Sequence, residues 1–304
     1  MNFKGLISAA AIAIVAVGIF DSCDSGEARN FMSKRSKYIT VSTGIGEFTR
    51  VHTLDDGSQE FEQGDQISVY AWTGDSAKAP AAADRVVNNS INTYTGNSWT
   101  AVPQMLWKNF NDAHYFIGLY PHTDAAVANL EAMPYTLDAA NQEQSDLLVA
   151  TNLSGTKNTI APVPLLFDHV MGRMVVSLSF RNQFDGIPAV QGVTLKNVAT
   201  QATVNCLTKS VAANTAAGAA DISLPRLANG QQQYASVLIP GGGARSVVIA
   251  IDGKDYTYTH SSEIAVESGK VTTVSLIVGR DSVSLGSVSI NNWKEGTQIG
   301  GEAL

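Results

Sequence analysis

Basic charge is scarce in this chain. Charged residues are 15% of its 304 residues and the formal net charge is -7. With no surplus of Lys and Arg to neutralise phosphates, nucleic acid is set aside as a partner. Only two cysteines are present, Cys23 and Cys206, so one disulfide at most is available to brace the fold. Sustained helical spacing of apolar residues is also missing. The five histidines, at 52, 114, 122, 169 and 260, include no pair four apart that would aim two imidazoles at one zinc. No Gly-x-Ser-x-Gly elbow exists to arm a hydrolase serine. The neighbouring acids Asp55-Asp56 and Glu60/Glu62 lack the opposed placement a glycosidase requires. These gaps argue against an enzyme and imply no cofactor and no metal.

What is there begins with an export signal. Lys4 precedes the apolar run Leu6 to Phe20, which is short for a membrane span and is followed by Ser22-Cys23. That layout reads as a secretory signal over residues 1–22. A cysteine directly after the apolar core suggests lipoprotein processing, with Cys23 acylated as the new N-terminus, although Asp21 departs from the usual small residues at that place. Pairing of Cys23 with Cys206 is the alternative in an oxidising compartment. Cys206 follows Val204 in phase and reads as a small core residue. Residues 23–37 are polar, with four basic side chains, and read as a tether.

From Tyr38 onward the chain alternates with period two. Tyr38 to Ile45 is the first strand, and the pattern recurs over 66–72, 114–120, 147–151, 174–180, 193–195, 234–239, 247–251 and 271–278. Turn dipeptides such as Asp56-Gly57, Asp185-Gly186 and Asp252-Gly253 separate these runs. Many short strands with regular punctuation predict an all-β chain of β-sandwiches. The length suits two domains, divided at residue 168: 38–167 and 168–304. Ala125 to Met133 is expected to be a short helix or loop, and Gly241-Gly242-Gly243 a hairpin loop rather than a phosphate cradle. His169 is expected to be a structural histidine oriented by a carboxylate, with Asp168 adjacent. Trp72, Trp99 and Trp107 are first of all core candidates; a carbohydrate-binding surface would need all three exposed and coplanar.

Several segments, in order, resemble the fimbrillin family, the type V pilin precursors of Bacteroidetes, in its minor-fimbrillin-like branch. They are Phe61-Glu62-Gln63-Gly64-Asp65-Gln66-Ile67-Ser68-Val69, Tyr115 to Pro121, Ser145 to Ala150, Phe167-Asp168-His169 to Arg173, and Ile290-Asn291-Asn292-Trp293. The resemblance implies two transthyretin-like β-sandwich domains in tandem and a non-enzymatic fimbrial subunit used in adhesion. It also implies partners: other fimbrial subunits, a trypsin-like processing protease, and the outer membrane through the lipid anchor of the precursor. In such proteins an N-terminal strand covers a groove until proteolysis removes it, and a strand from another subunit is then added. Here the removable strand would be Tyr38 to Ile45, with cleavage after Arg50, or alternatively Arg35. The donor candidates are Val283 and Leu285 in one phase and Val288 and Ile290 in the other. The change of phase at Gly286-Ser287 predicts a bulge or two short strands. Stalk, tip and anchor roles are all compatible with this pattern.

Overall fold

The computed structural model describes residues 35–45, 61–216, 218–228 and 231–292. Cys23 and Arg50 lie outside them. The expected signal and tether lie outside as well, apart from residues 35–37. The described chain is all-β. Its strands are β1 (Val41–Ile45), β2 (Gln66–Thr73), β3 (Val87–Tyr94), β4 (Trp99–Val102), β5 (His114–Tyr120), β6 (Met133–Thr136), β7 (Leu148–Thr156), β8 (Val163–His169) and β9 (Gly172–Phe180). They continue with β10 (Val190–Ala199), β11 (Gln201–Asn205), β12 (Ser210–Ala213), β13 (Ala219–Ser223), β14 (Gln233–Leu238), β15 (Ser246–Ile251), β16 (Lys254–Thr259), β17 (Lys270–Val278) and β18 (Val283–Asn292).

Four sheets result. The largest runs β1-β8-β7-β5-β2-β3-β4; the others run β13-β10-β15-β16, β12-β11-β6 and β14-β9-β17-β18. Pairing is antiparallel except for β1 with β8 and β17 with β9. The chain leaves the first sheet at His169, while β6 pairs with β11, so sequence from before His169 contributes to a later sheet. Ala125–Met133 is a loop of turns and bends rather than a helix, and its last residue opens β6. The glycine triplet is not a hairpin loop either, because β14 and β15 on its two sides belong to different sheets. Gly241 and Gly243 have φ of 65° and 84°, a backbone that favours glycine at this change of sheet.

The central strands of the first sheet are buried on both faces. From β2, Ile67, Val69 and Ala71 enter one core while Tyr70 and Trp72 enter the other. From β5, Phe116 and Tyr120 take the first side and Ile117 and Leu119 the second; from β7, Leu148 and Ala150 face Val149 in the same way. Both phases of these strands are therefore apolar, as a strand covered on two faces requires. The first core lies inside the curl of the large sheet with Phe61, Met105, Trp107 and Phe167. The second is shared with the later sheets through residues such as Met174, Val176, Val247 and Val274.

Four of the five segments that carry the family resemblance meet in this first core; residues 290–292 of the fifth lie on the exposed strand β18. Phe61 packs edge-on against Tyr120, Phe167 and Trp99, with ring centroids 5.6, 5.5 and 5.1 Å away. Asp65 Oδ2 accepts from the Glu62 N–H at 2.7 Å, and Gly64 has a φ of 104° in the same turn. The Tyr120 hydroxyl donates to the other Asp65 oxygen at 3.4 Å. These aromatic and Gly-Asp positions thus build a strand entry.

Candidate assembly surfaces

The N-terminal segment closes the large sheet. β1 lies at one edge and β4 at the other, and the residues following β4 bond to those preceding β1. The Ile39 N–H donates to Met105 O at 3.0 Å and the Trp107 N–H to Lys37 O at 3.3 Å. On the other side the Val163 N–H donates to Thr40 O at 2.8 Å, and β1 then runs parallel to β8 with Val41 opposite Val163 and Thr43 opposite Leu165. The start of the segment is clamped at Ser36, whose N–H donates to Asn158 Oδ1 at 3.1 Å while Asn158 Nδ2 returns a bond to Ser36 O at 2.6 Å.

Ile39 and Val41 point inward, 2% and 5% exposed, whereas Thr40, Ser42 and Gly44 face solvent. Two indoles finish the attachment: Trp107 Nε1 donates to Tyr38 O at 3.1 Å and Trp99 Nε1 to Thr43 Oγ1 at 3.0 Å. The segment is therefore held by main-chain bonds, two buried β-branched side chains and two tryptophan donors. Main-chain pairing is indifferent to sequence, so another strand with the same inward pattern suits the same place. Sequence reasoning identified the strand but not its fasteners. Trp99 and Asn158 had no pattern of their own, because each acts across more than fifty residues of chain.

At the other end β18 is an edge strand, bonded only to β17 within its sheet. Ser275 lies opposite Ser287 and Leu276 opposite Leu285, which leaves Gly286 out of register: the expected bulge. Because of it Leu285 and Val288 stand opposite the inward residues Leu276 and Val274, so both phases of the tail reach one face. Those β17 partners are fully buried, yet Leu285, Val288 and Ile290 remain 38%, 38% and 37% exposed. The apolar face continues one strand beyond its cover, leaving the kind of open edge that β-proteins normally protect.

The tryptophans do not form a sugar platform. Trp72 is fully buried with its Nε1 donating to Asp75 O at 2.7 Å, and Trp107 is 8% exposed. Trp99 is half-buried against Tyr94, centroids 5.0 Å apart. The carboxylate that orients His169 is Asp146, 2.6 Å from Nδ1, while neighbouring Asp168 pairs with Lys209. Burial pushes the Cys206 thiol up to about 12, so it is a core residue and not a nucleophile. Among the described residues no cluster of three His, Cys, Asp or Glu is placed to hold a metal.

His114 lies under the loop that holds the N-terminal segment. Its Nε2 accepts from the Lys108 N–H at 3.1 Å and its Nδ1 lies 3.0 Å from Asp112 O, which fixes a neutral ring protonated on Nδ1. Burial holds its pKa below the ordinary 6.5, and nearby Lys108 adds to the effect. The unfolded chain thus takes up this proton at higher pH than the folded chain. The contribution of the neutral ring to stability is complete above about pH 6.5 and is lost as pH falls through that value towards the folded pKa. Thermal midpoints measured from pH 7.5 to 5 should fall more steeply for the unsubstituted chain than for His114→Asn; equal slopes would refute this.

The sequence of residues 49–293 matches the family described as fimbrillin-like. No curated protein matches the chain. Among solved structures it is similar to a candidate cell adhesion protein from Bacteroides ovatus ATCC 8483, with 19% identity, a TM-score of 0.66, and coverage of 84% of this chain and 98% of that one. A second candidate cell adhesion protein, from Bacteroides uniformis ATCC 8492, gives 16% identity and 0.64 over 84% and 98%. A fimbrial protein from Bacteroides vulgatus ATCC 8482 gives 12% identity and 0.55 over 85% and 100%. At these identities the likeness to the solved structures is one of fold.

Proposed function

This chain belongs to the fimbrillin-like family, and from that membership we propose that it is a structural, non-catalytic subunit of a cell-surface fimbrium, matured and assembled by strand replacement. The observation that carries this reading is the closing segment. Residues 36–45 fill a place in the first sheet mainly through main-chain bonds, and their departure would leave the β8 edge and the inward side chains of Val163, Leu165 and Phe167 without their cover. Unpaired backbone groups beside an apolar trough recruit an incoming strand.

In this reading the precursor is exported by residues 1–22, acylated at Cys23 and held at the outer membrane. A trypsin-like protease then cuts after Arg50. Connectivity favours Arg50 over Arg35. A cut after Arg35 leaves β1 joined to the body through residues 46–60, whereas a cut after Arg50 separates the whole segment. The guanidinium of Arg35 is moreover engaged 5.0 Å from the centroid of the Phe110 ring. The donor is β18, with Val283, Leu285, Val288 and Ile290 as its apolar residues, and the division at residue 168 separates the acceptor part from the donor part.

N-terminal sequencing and intact mass of surface material, with size analysis, test the proposal. Trimmed protein should begin at Val51 and form ladders, and Arg50→Ala should abolish both. Recovery only of an acylated monomer beginning at Cys23 would overturn trimming and assembly.

A further inference from the structure

The closing segment and the open edge strand share a pattern whose physical basis is visible in the hydrogen bonds. In Ile39-Thr40-Val41-Ser42-Thr43 the two inward residues are β-branched and buried, the alternate residues are exposed, and the last offers Trp99 Nε1 an acceptor. Val288-Ser289-Ile290-Asn291-Asn292 repeats this place for place. Val and Ile are again β-branched, Ser and Asn take the solvent positions, and Asn292 carries a side-chain oxygen where Thr43 has its hydroxyl.

Resting on the strand-replacement reading, the geometry points to one register of self-association: Val288–Asn292 of one copy occupies the place of Ile39–Thr43 in the next, parallel to β8, with Trp99 reading Asn292. The Val288 N–H then donates to Met105 O, as Ile39 does now, and Ser289 O accepts from the Val163 N–H in place of Thr40 O. Val288 and Ile290, more than a third exposed on β18, move to positions that Ile39 and Val41 hold at 2% and 5% exposure. That gain in apolar burial favours the transfer.

The competing frame places Val283, Leu285 and Ser287 at the same three positions. An extended strand without the Gly286 bulge presents only one of the two phases inward, so the two frames exclude each other. The acceptor place favours the later frame, because Ile290 keeps the β-branching that Val41 presents to this closed site, whereas Leu285 branches one carbon further out; the added methylene is common to both. The matching partner is therefore a second copy of this chain, and the β-branched pair sets the frame, since Ser287 in the competing frame also brings a hydroxyl to Trp99.

Disulfide capture in fibres assembled from the full-length precursor tests the register. Ser42 stands opposite Pro164 and both face outward, so the register brings Asn291 of the incoming strand beside Pro164. Facing positions of paired strands fall within the span of about 4.4–6.8 Å between Cα atoms that a disulfide bridges. Chains carrying Pro164→Cys with Asn291→Cys should give a covalent ladder on non-reducing denaturing gels that collapses with reductant. Pro164→Cys with Gly286→Cys, which reports the competing frame, should give none. Cys206 is buried and does not compete.

The opposite pattern, or no ladder in fibres that do form, overturns the register and leaves strand replacement standing. Failure of the unsubstituted chain to form fibres overturns both. A second measurement isolates the indole: Asn292→Ala should slow assembly by roughly five- to tenfold, the effect of one lost hydrogen bond, and Ser287→Ala should leave it unchanged. Both residues are exposed on β18, so a fold-wide effect is not expected. Equal rates for the two variants would overturn the Trp99 contact.

Discussion

Phe167→Ala should lower the stability of the described fold by about 3–5 kcal/mol, the usual consequence of emptying a large buried aromatic site. Phe167 is fully buried near the end of β8 and meets Phe61 edge-on at 5.5 Å. The space for its ring is made by Gly118 on β5. A Cβ at that position would stand 2.7 Å from Phe167 Cζ and 3.2 Å from Leu165 Cδ1. Gly118→Ala should therefore cost about 1–3 kcal/mol by overpacking, and much less once Phe167 has already been shortened. Urea denaturation of the two single variants and the double variant measures that coupling. Additive losses would show that the glycine does not serve the ring. Because Phe167 also pairs with Ile45, its loss should weaken the site of the closing segment along with the core.

Arg85→Met should cost a similar amount, about 3–5 kcal/mol, built up from roughly 1–3 kcal/mol for each buried acceptor left without its donor, although it replaces a charged residue with an apolar one of comparable length. The guanidinium is 8% exposed and acts as a four-way tie. Its Nε donates to Pro80 O at 3.2 Å, one terminal nitrogen to Asn88 Oδ1 at 2.9 Å and Val127 O at 2.6 Å, and the other to Ala128 O at 2.9 Å. Burial pulls its pKa down, but Arg remains charged at any pH the protein meets. The Tyr70 ring lies beneath it at 5.4 Å, and the Tyr70 hydroxyl in turn accepts from the Val127 N–H at 3.1 Å. Methionine leaves the three carbonyls without these donors, and the unmet desolvation dominates the loss. Arg85→Lys should rescue little, because one ammonium cannot span the fork. A melting temperature for Arg85→Met close to that of the unsubstituted chain would contradict this account. So would unchanged amide exchange in residues 123–130.

Strands were legible where one face is covered, or where both faces carry long apolar runs. His114 to Tyr120 has the same limits in the sequence pattern and in the fold, and Met174 to Phe180 falls within β9. β3 was not legible. Its Val-Asn-Asn-Ser-Ile-Asn-Thr-Tyr sequence has poor strand propensity, and the chain is held there by neighbours instead. Asn89 takes a φ of 62° at a register shift against β2. Ser90 is buried by donating to Pro103 O at 2.6 Å, and Asn92 by donating to Ser90 O at 3.0 Å. β16 was missed for a related reason: Lys254–Thr259 lies on a sheet edge, where polar residues are tolerated and leave little periodic signal.

The assembly surfaces divide in the same way. The strand character of Tyr38 to Ile45, the change of phase at Gly286 and the pattern Val288-Ser289-Ile290 are written in the chain, because side-chain alternation is a local property with a period of two. By local pattern alone the sequence established an all-β chain with these two segments at its ends. Only the tertiary structure decided that the first segment closes a sheet between β8 and residues 105–107, that Trp99 and Asn158 fasten it, and that Asp146 orients His169 while Asp168 pairs with Lys209. The physical reason is that each of these contacts joins groups far apart in the chain. Their partners are chosen by which strands lie side by side, and no short-range pattern records that choice.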